Sequence, residues 1–317
     1  MLLTLILPIA AKAQSAYQFD SSFKQTKPFL FEIEKDGKIS HILGSMHVGI
    51  PLTSFPVIVF ELAAQSKSMA FEADAELFKK NNREAMHAAA LYPPEDSLDK
   101  NLTRKATLKL RELFDHGQGI EHLMKYRSWA IASELDADTL KTLQESDGAA
   151  QWDVLQGIDM TLLNYAKQVG RPITYLDDLS RKVEEFNENT SAQDLEKLLS
   201  YPNPRAHLLQ CARMAQSSYL KGNESGFILF NELCENEIFL KRVETRTIFW
   251  IAKLENLFNE GGAFVTVGAG HMDGPNGLKA LLTLKGYKVR RLDAFGNPVV
   301  TAKRDKALPT QNLVHHN

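Results

Sequence analysis

What this 317-residue chain lacks narrows its reading before any motif does. It has only two cysteines, Cys211 and Cys234. No Cys–Cys or Cys–His spacing suits zinc. Neither cysteine falls at a strand end, where a helix N-terminus would activate its thiol. Charge of one sign is not in excess. The formal net charge of −2 gives no general reason to expect nucleic acid or an anionic membrane surface as partner. No apolar run reaches the roughly 18–20 residues of a stable membrane span. There is no G-x-S-x-G, and Ser45, between Gly44 and His47, is not a nucleophile elbow. Long linkers, repeats and low-complexity blocks are also missing.

What remains is ordinary globular composition, 44% hydrophobic and 24% charged, enough for one large or two modest domains. The first ten residues are largely apolar and lead to Ala11-Lys12-Ala13, an A-x-A site, and then polar Gln14-Ser15. That pattern predicts a signal peptide over 1–13 and an exported, periplasmic or secreted protein, although a basic leader is missing. Residues 14–28 read as a linker and 29–302 as one α/β domain. The polar tail from 303 to 317 reads as disordered. Cys211 and Cys234 flank the turn-like Lys221–Ser225 at similar distances. They would come level in a helical hairpin, as a disulfide or as two buried thiols.

The pattern of elements predicts a mainly parallel sheet. Phe29–Glu34 and Ile39–Leu43 form a hairpin around Asp36-Gly37. A helix over about 55–66 leads to a strand, Ser68–Asp74, which is a βαβ order and hence parallel pairing. A mostly helical insert follows over about 76–172. It is interrupted at Pro93-Pro94, where Asp96 or Ser97 would cap the next helix. Pro172–Leu176 is a short strand. Helices over about 191–259 break at Pro202, Pro204 and Gly222. Then come a strand over 263–267, a helix over about 276–285 and a last strand, Tyr287–Leu292.

Two motifs of one form sit at strand exits: Gly44-Ser45-Met46-His47 and Gly268-Ala269-Gly270-His271. The carboxyl ends of parallel strands are where α/β sheets bind ligands. A leading glycine lets the chain turn sharply, so that the histidine projects over the sheet edge. Glu72 ends a third strand. Two imidazoles and a carboxylate suit a divalent transition metal with positions left for water. Asp74 or Asp177 would accept a proton or orient a histidine. Against this, an isolated histidine at a strand end is more often a satisfied hydrogen-bonder. A third reading takes Gly268-x-Gly270-x-x-x-Gly274, with Asp293 about 20 residues on, as a loose dinucleotide fingerprint. Its third glycine is out of register, and little chain follows to build the fold around it. His41, His87, His116, His122 and His207 read as local hydrogen-bonders, with His315 and His316 in the tail. Lys182–Glu188 reads as a solvated helix face, and Trp129, Trp152 and Trp250 as core.

Five segments occur together in order: "HILGSMHVG", "MAFEAD", "LYPPEDSLDKNLT", "QGIDM" and "AFVTVGAGHMDGPNGLKALLTLKGYKVRRL". The set resembles the TraB/GumN family, which includes the animal TIKI proteases, over roughly residues 29–293. The resemblance implies an α/β fold related to the erythromycin-esterase and ChaN-like group. It also implies a metal-dependent, peptidase-like hydrolase centre formed by His47, Glu72 and His271, with Mn, Co or Zn as the divalent metal. Gly44, Gly268 and Gly270 would shape its loops. Asp74, Arg127, Asp177 and Arg246 would stand behind the ligands or face a peptide or small-molecule substrate. The rival class is a non-catalytic protein that holds a peptide, a haem-like ligand or a signal molecule in the same pocket, or serves polysaccharide export. Three departures from the family's pattern are Leu176-Asp177-Asp178, where Leu-Glu-Thr is frequent; Arg246-Thr247, where Arg-Asn is frequent; and Glu95 in the Pro-Pro loop.

Overall fold

A computed structural model describes residues 27–74, 80–115, 119–148, 152, 157–177, 191–235 and 237–299. The segments read above as signal peptide and tail, Lys182–Glu188, His116 and Asp178 lie outside the described residues.

Six strands form one sheet: β1 Leu30–Lys35, β2 Lys38–Ser45, β3 Ser68–Phe71, β4 Ile173–Tyr175, β5 Ala263–Gly268 and β6 Lys288–Arg291. Their order is β4-β3-β5-β2-β1-β6. β4, β3, β5 and β2 run parallel, while β1 is antiparallel to both β2 and β6. Asp36 and Gly37 turn the β1–β2 hairpin with φ of 52° and 72°, the paired positive angles that a type I′ turn needs. β5 is buried along its whole length, as expected of a central strand covered on both faces.

The described helices are α1 Val57–Gln65, α2 Arg83–Ala89, α3 Leu98–Asn101, α4 Arg104–Phe114, α5 Ser128–Asp147, α6 Ile158–Gln168, α7 Ala192–Leu199, α8 Pro204–Leu220, α9 Glu224–Cys234, α10 Glu237–Glu260 and α11 Leu278–Leu284. Their starts carry local signals. Ser191 and Asp194 form a capping box, Thr103 caps α4, and Asn203 with Pro204 opens α8. Ser97 stands at the N-cap of α3 without a side-chain cap. The acceptor there is Asp96, which takes the Ser97 N–H and Asn101 Nδ2. None of the helices among the described residues is long and apolar enough to cross a membrane.

The helical stretch read as one insert divides by packing. Ile158, Leu162, Leu163 and Ala166 on one face of α6 join the main core with β3 and β5. Leu98, Leu110, Ile131 and Leu135 form a second, smaller core, and Leu195 and Leu199 of α7 complete it from beyond β4. Helical periodicity shows that each helix has an apolar face but not which core it enters. The three tryptophans are buried, as expected.

Cys211 on α8 and Cys234 on α9 are joined as a disulfide with Cα atoms 5.9 Å apart. The helical hairpin does bring them level. The bond closes a sequence separation of 23 residues. Loop-closure entropy for a ring of that size makes Cys211→Ser/Cys234→Ser less stable by about 3 kcal/mol. Urea unfolding of the two proteins under non-reducing conditions measures this difference.

Candidate functional site

β5, the last of the four parallel strands along the chain, lies between β2 and β3. Ser45 is thereby paired with Gly268, and Phe71 with Thr266. His47, Glu72 and His271 each follow one of these three strands, so the three arrive at the same sheet edge. Glu72 is the hub. Its Oε1 accepts the Gly268 N–H at 2.7 Å and lies 3.8 Å from His47 Nε2 and 3.7 Å from His271 Nε2. Its Oε2 accepts from Arg246.

Each histidine is held from behind. Thr247 Oγ1 is 2.7 Å from His271 Nδ1 and also donates to the Val243 carbonyl at 2.6 Å. A hydroxyl proton committed to that carbonyl leaves its oxygen to accept Nδ1–H, which fixes Nε2 as the unprotonated nitrogen facing Glu72. Trp250 packs on the His271 ring with centroids 4.2 Å apart. Behind His47 stands Asp159, in the first turn of α6. Its Oδ1 accepts from Ser45 Oγ at 2.6 Å. Its Oδ2 lies 3.3 Å from His47 Nδ1, an ion-pair separation rather than an aligned hydrogen bond. His271 is 4% exposed, Glu72 14% and His47 59%, so the cluster opens to water on the His47 side.

The surrounding charges explain the protonation of the cluster. Burial opposes the charge on Glu72, but His47, Arg246, His271 and the Gly268 N–H together hold its carboxyl well below the usual range. The Asp159 charge raises His47 to about 9, with Glu72 adding and Arg246 opposing. Burial takes His271 the other way, to about 4, because the attraction of Glu72 is offset by Arg246 and His47. Two histidines of one motif thus carry opposite preferences for a proton.

Arg246 is fixed by Asp177, which accepts its Nε at 3.1 Å and its NH2 at 2.8 Å. Trp250 Nε1 also donates to Asp177, at 2.9 Å. Two of the departures from the family's pattern therefore have defined partners here: Asp177 seats the guanidinium, and Thr247 orients His271. Asp74 and Arg127 are placed differently. Buried Asp74 accepts from Lys167 at 2.5 Å and from the Tyr175 hydroxyl at 3.3 Å. Arg127 donates to the Leu91 carbonyl and covers the Tyr92 ring. Asp293 is occupied by the Phe295 and Asn297 N–H groups, a local turn rather than a ribose site.

The glycines divide as well. Gly268 has a φ of −56°, which any residue adopts. Its requirement is space: an added Cβ would lie 3.3 Å from both Glu72 Oε1 and His47 Nε2, and 3.7 Å from His271 Cδ2. That point is a small cradle faced by all three side chains. A Cβ on Gly44 would press on Ala269, Met272 and Phe29 at 3.2–3.3 Å, whereas one on Gly270 would meet nothing within 4 Å. Gly270 therefore has no steric reason to be glycine.

The donor types, two imidazoles and a carboxylate, suit a divalent cation. Metal bonds of about 2.0–2.2 Å place tetrahedral donors roughly 3.3–3.6 Å apart, slightly closer than the separations seen. His271 has Nδ1 held by Thr247, the usual arrangement of a metal-binding histidine, while His47 Nδ1 faces Asp159 at 3.3 Å, and both Nε2 atoms turn toward Glu72. Among the described residues no group of three or more His, Cys, Asp or Glu is placed so that it could hold a metal ion; His47, Glu72 and His271 would have to draw together by about a few tenths of an ångström to bind one.

Fold and site together define an α/β protein with a His–Glu–His cluster at the carboxyl edge of its parallel strands. The chain belongs to the TraB/PrgY/gumN family, whose model matches residues 29–291. Comparison with curated proteins and with solved structures gives no match.

Asp159, Thr247 and Gly157 are residues that the sequence left without a role at the site, and Trp250, expected in the core, also packs on His271. Asp159 and Gly157 both stand in "QGIDM", and Thr247 and Trp250 fall on one face of α10 with Arg246. The first pair was legible as a motif without a function, Thr247 as a departure from the family's frequent Arg-Asn, and Trp250 as core. Gly157 lets α6 abut the first loop: a Cβ there would lie 1.8 Å from the His47 carbonyl oxygen. Gly157→Ala is expected to lose about 1–3 kcal/mol by forced displacement of that loop. Urea unfolding reads the loss, and a shift of the His47 ring resonances reads the displacement. Unchanged resonances would contradict it.

Proposed function

We propose that this protein is an exported, metal-dependent hydrolase acting on peptide or similar acyl bonds. The observation that carries the reading is the placement of His47 Nε2 and His271 Nε2 at 3.8 and 3.7 Å from one oxygen of Glu72. His47, Glu72 and His271 would hold the ion, with Mn, Co or Zn compatible with two imidazoles and one carboxylate. A divalent ion so bound polarises a carbonyl and acidifies a water. Asp159 and Thr247 keep the imidazoles aimed, and Arg246 keeps one Glu72 oxygen occupied so that the other faces the cradle. The open His47 side admits substrate, while buried His271 and Trp250 close the opposite wall. Export draws on the A-x-A pattern and on the disulfide, which suits an oxidising compartment.

One observation favours a second reading, a non-catalytic binding pocket. Arg246 already pairs with both Glu72 and Asp177, so the two acids share one positive charge without an ion.

Purified protein, loaded with excess Mn²⁺, Co²⁺ or Zn²⁺ and desalted, is expected to retain about one equivalent of metal and to cleave members of a peptide library. His47→Ala/His271→Ala should retain none. Gly268→Ala, which fills the cradle, should lose metal retention, while Gly270→Ala should keep it. Absence of metal uptake by wild type at any of the three ions would sink the hydrolase. Uptake without cleavage would leave the binding pocket as the function.

A further inference from the structure

His47 is the exposed member of the cluster, and its position depends on the loop from Gly44 to Gly49. Both ends of that loop are gripped by one helix. On α8, Tyr219 donates its hydroxyl to the Gly44 carbonyl at 2.6 Å, and Gln216 donates Nε2 to the Gly49 carbonyl at 2.8 Å. Residues three apart share a helix face, so the two side chains reach the loop as a pair. We propose that Gln216 and Tyr219 are positioning residues: they span the loop from end to end and set the reach of His47 toward Glu72.

The grip is built to be rigid. Tyr219 is fully buried and stacks on Phe29 with centroids 5.0 Å apart and planes 4° apart. Phe55 and Phe227 pack against its ring edge-on. Phe227 belongs to α9, and the Cys211–Cys234 bond ties α9 to α8. Burial, reinforced by the charge of Asp159, keeps the phenol protonated and therefore a donor. At the far end Gly49 has a φ of 86° and lies under the Trp152 ring, so the loop cannot slide past Gln216. On the other side Gly157 touches the His47 carbonyl and Ser45 holds Asp159. The loop is thus confined between α8 and the start of α6.

The role of these residues in metal binding rests on the hydrolase reading, whereas the grip on the loop does not, and two measurements separate them. ¹⁵N relaxation on metal-free protein reports the loop itself. Backbone order parameters for residues 46–49 should lie near the rigid value of about 0.85 in wild type and fall below about 0.6 in Tyr219→Phe/Gln216→Ala. Order parameters in β5 should not change, which confirms that the sheet is intact. Tyr219→Phe keeps the ring stack, and Gln216→Ala alone changes a half-buried side chain, so each single variant serves if the double variant is poorly folded. Unchanged loop order parameters would overturn the grip. Titration with Co²⁺, followed by its absorption, reports the consequence: the double variant should bind roughly tenfold or more weakly. A loosened loop with wild-type Co²⁺ affinity would overturn the positioning role. If wild type takes up none of Co²⁺, Mn²⁺ and Zn²⁺, the hydrolase reading fails while the relaxation data still decide the grip.

Discussion

The parallel pairing of β2 with β5 is the constraint on which the site depends. Ser45 and Gly268 are partners in that ladder. Each precedes its histidine by two or three residues, so pairing two strands from opposite ends of the chain sets two imidazoles at one edge. β3, on the other flank of β5, then brings Glu72 to the same edge. The ladder is buried along β5, where a one-residue slip would turn every side chain to the opposite face. The strand exits that carry the cluster are therefore fixed by the core, and the contacts around each loop set the final reach of the side chains.

Around that ladder the charges form a chain in which no group stands alone. Asp177 seats Arg246, Arg246 takes one oxygen of Glu72, and the Gly268 N–H takes the other. Asp159 lies behind His47 and Thr247 behind His271. Removing a charged group from water is costly unless it is paired, and every member here is paired across the fold rather than along it. The two histidines nevertheless differ. His47 stands in the open beside a carboxylate and keeps its proton. His271 lies under Trp250 against a neutral hydroxyl and gives its proton up. One motif, repeated, yields two chemical states because the environments differ.

The main lines of the fold were legible in the sequence because they rest on local signals. Asp36-Gly37 announces a hairpin, alternating and continuous apolar runs announce the strands, and Gly44 and Gly268 mark the turns after two of them. All six strands fall where those signals place them, within a few residues at their ends. The packing of the helical region was not legible. α6 enters the main core and α7 the smaller one, a choice made by neighbours distant in sequence. Gly270 shows the same limit from the other direction: it matches a pattern yet meets no steric demand.

The sequence by itself determined where the chain turns, which residues stand at strand exits and that two of those exits carry the same G-x-x-H form. These depend on φ preferences and on side-chain periodicity, which act over a few residues. Only the tertiary structure decided what surrounds each imidazole. Asp159 reaches His47 across more than a hundred residues, Arg246 reaches Glu72 from farther still, and Thr247 comes to His271 from the helix before β5. Proton affinity, ring orientation and the cradle at Gly268 depend on those distances in space. No spacing along the chain encodes them.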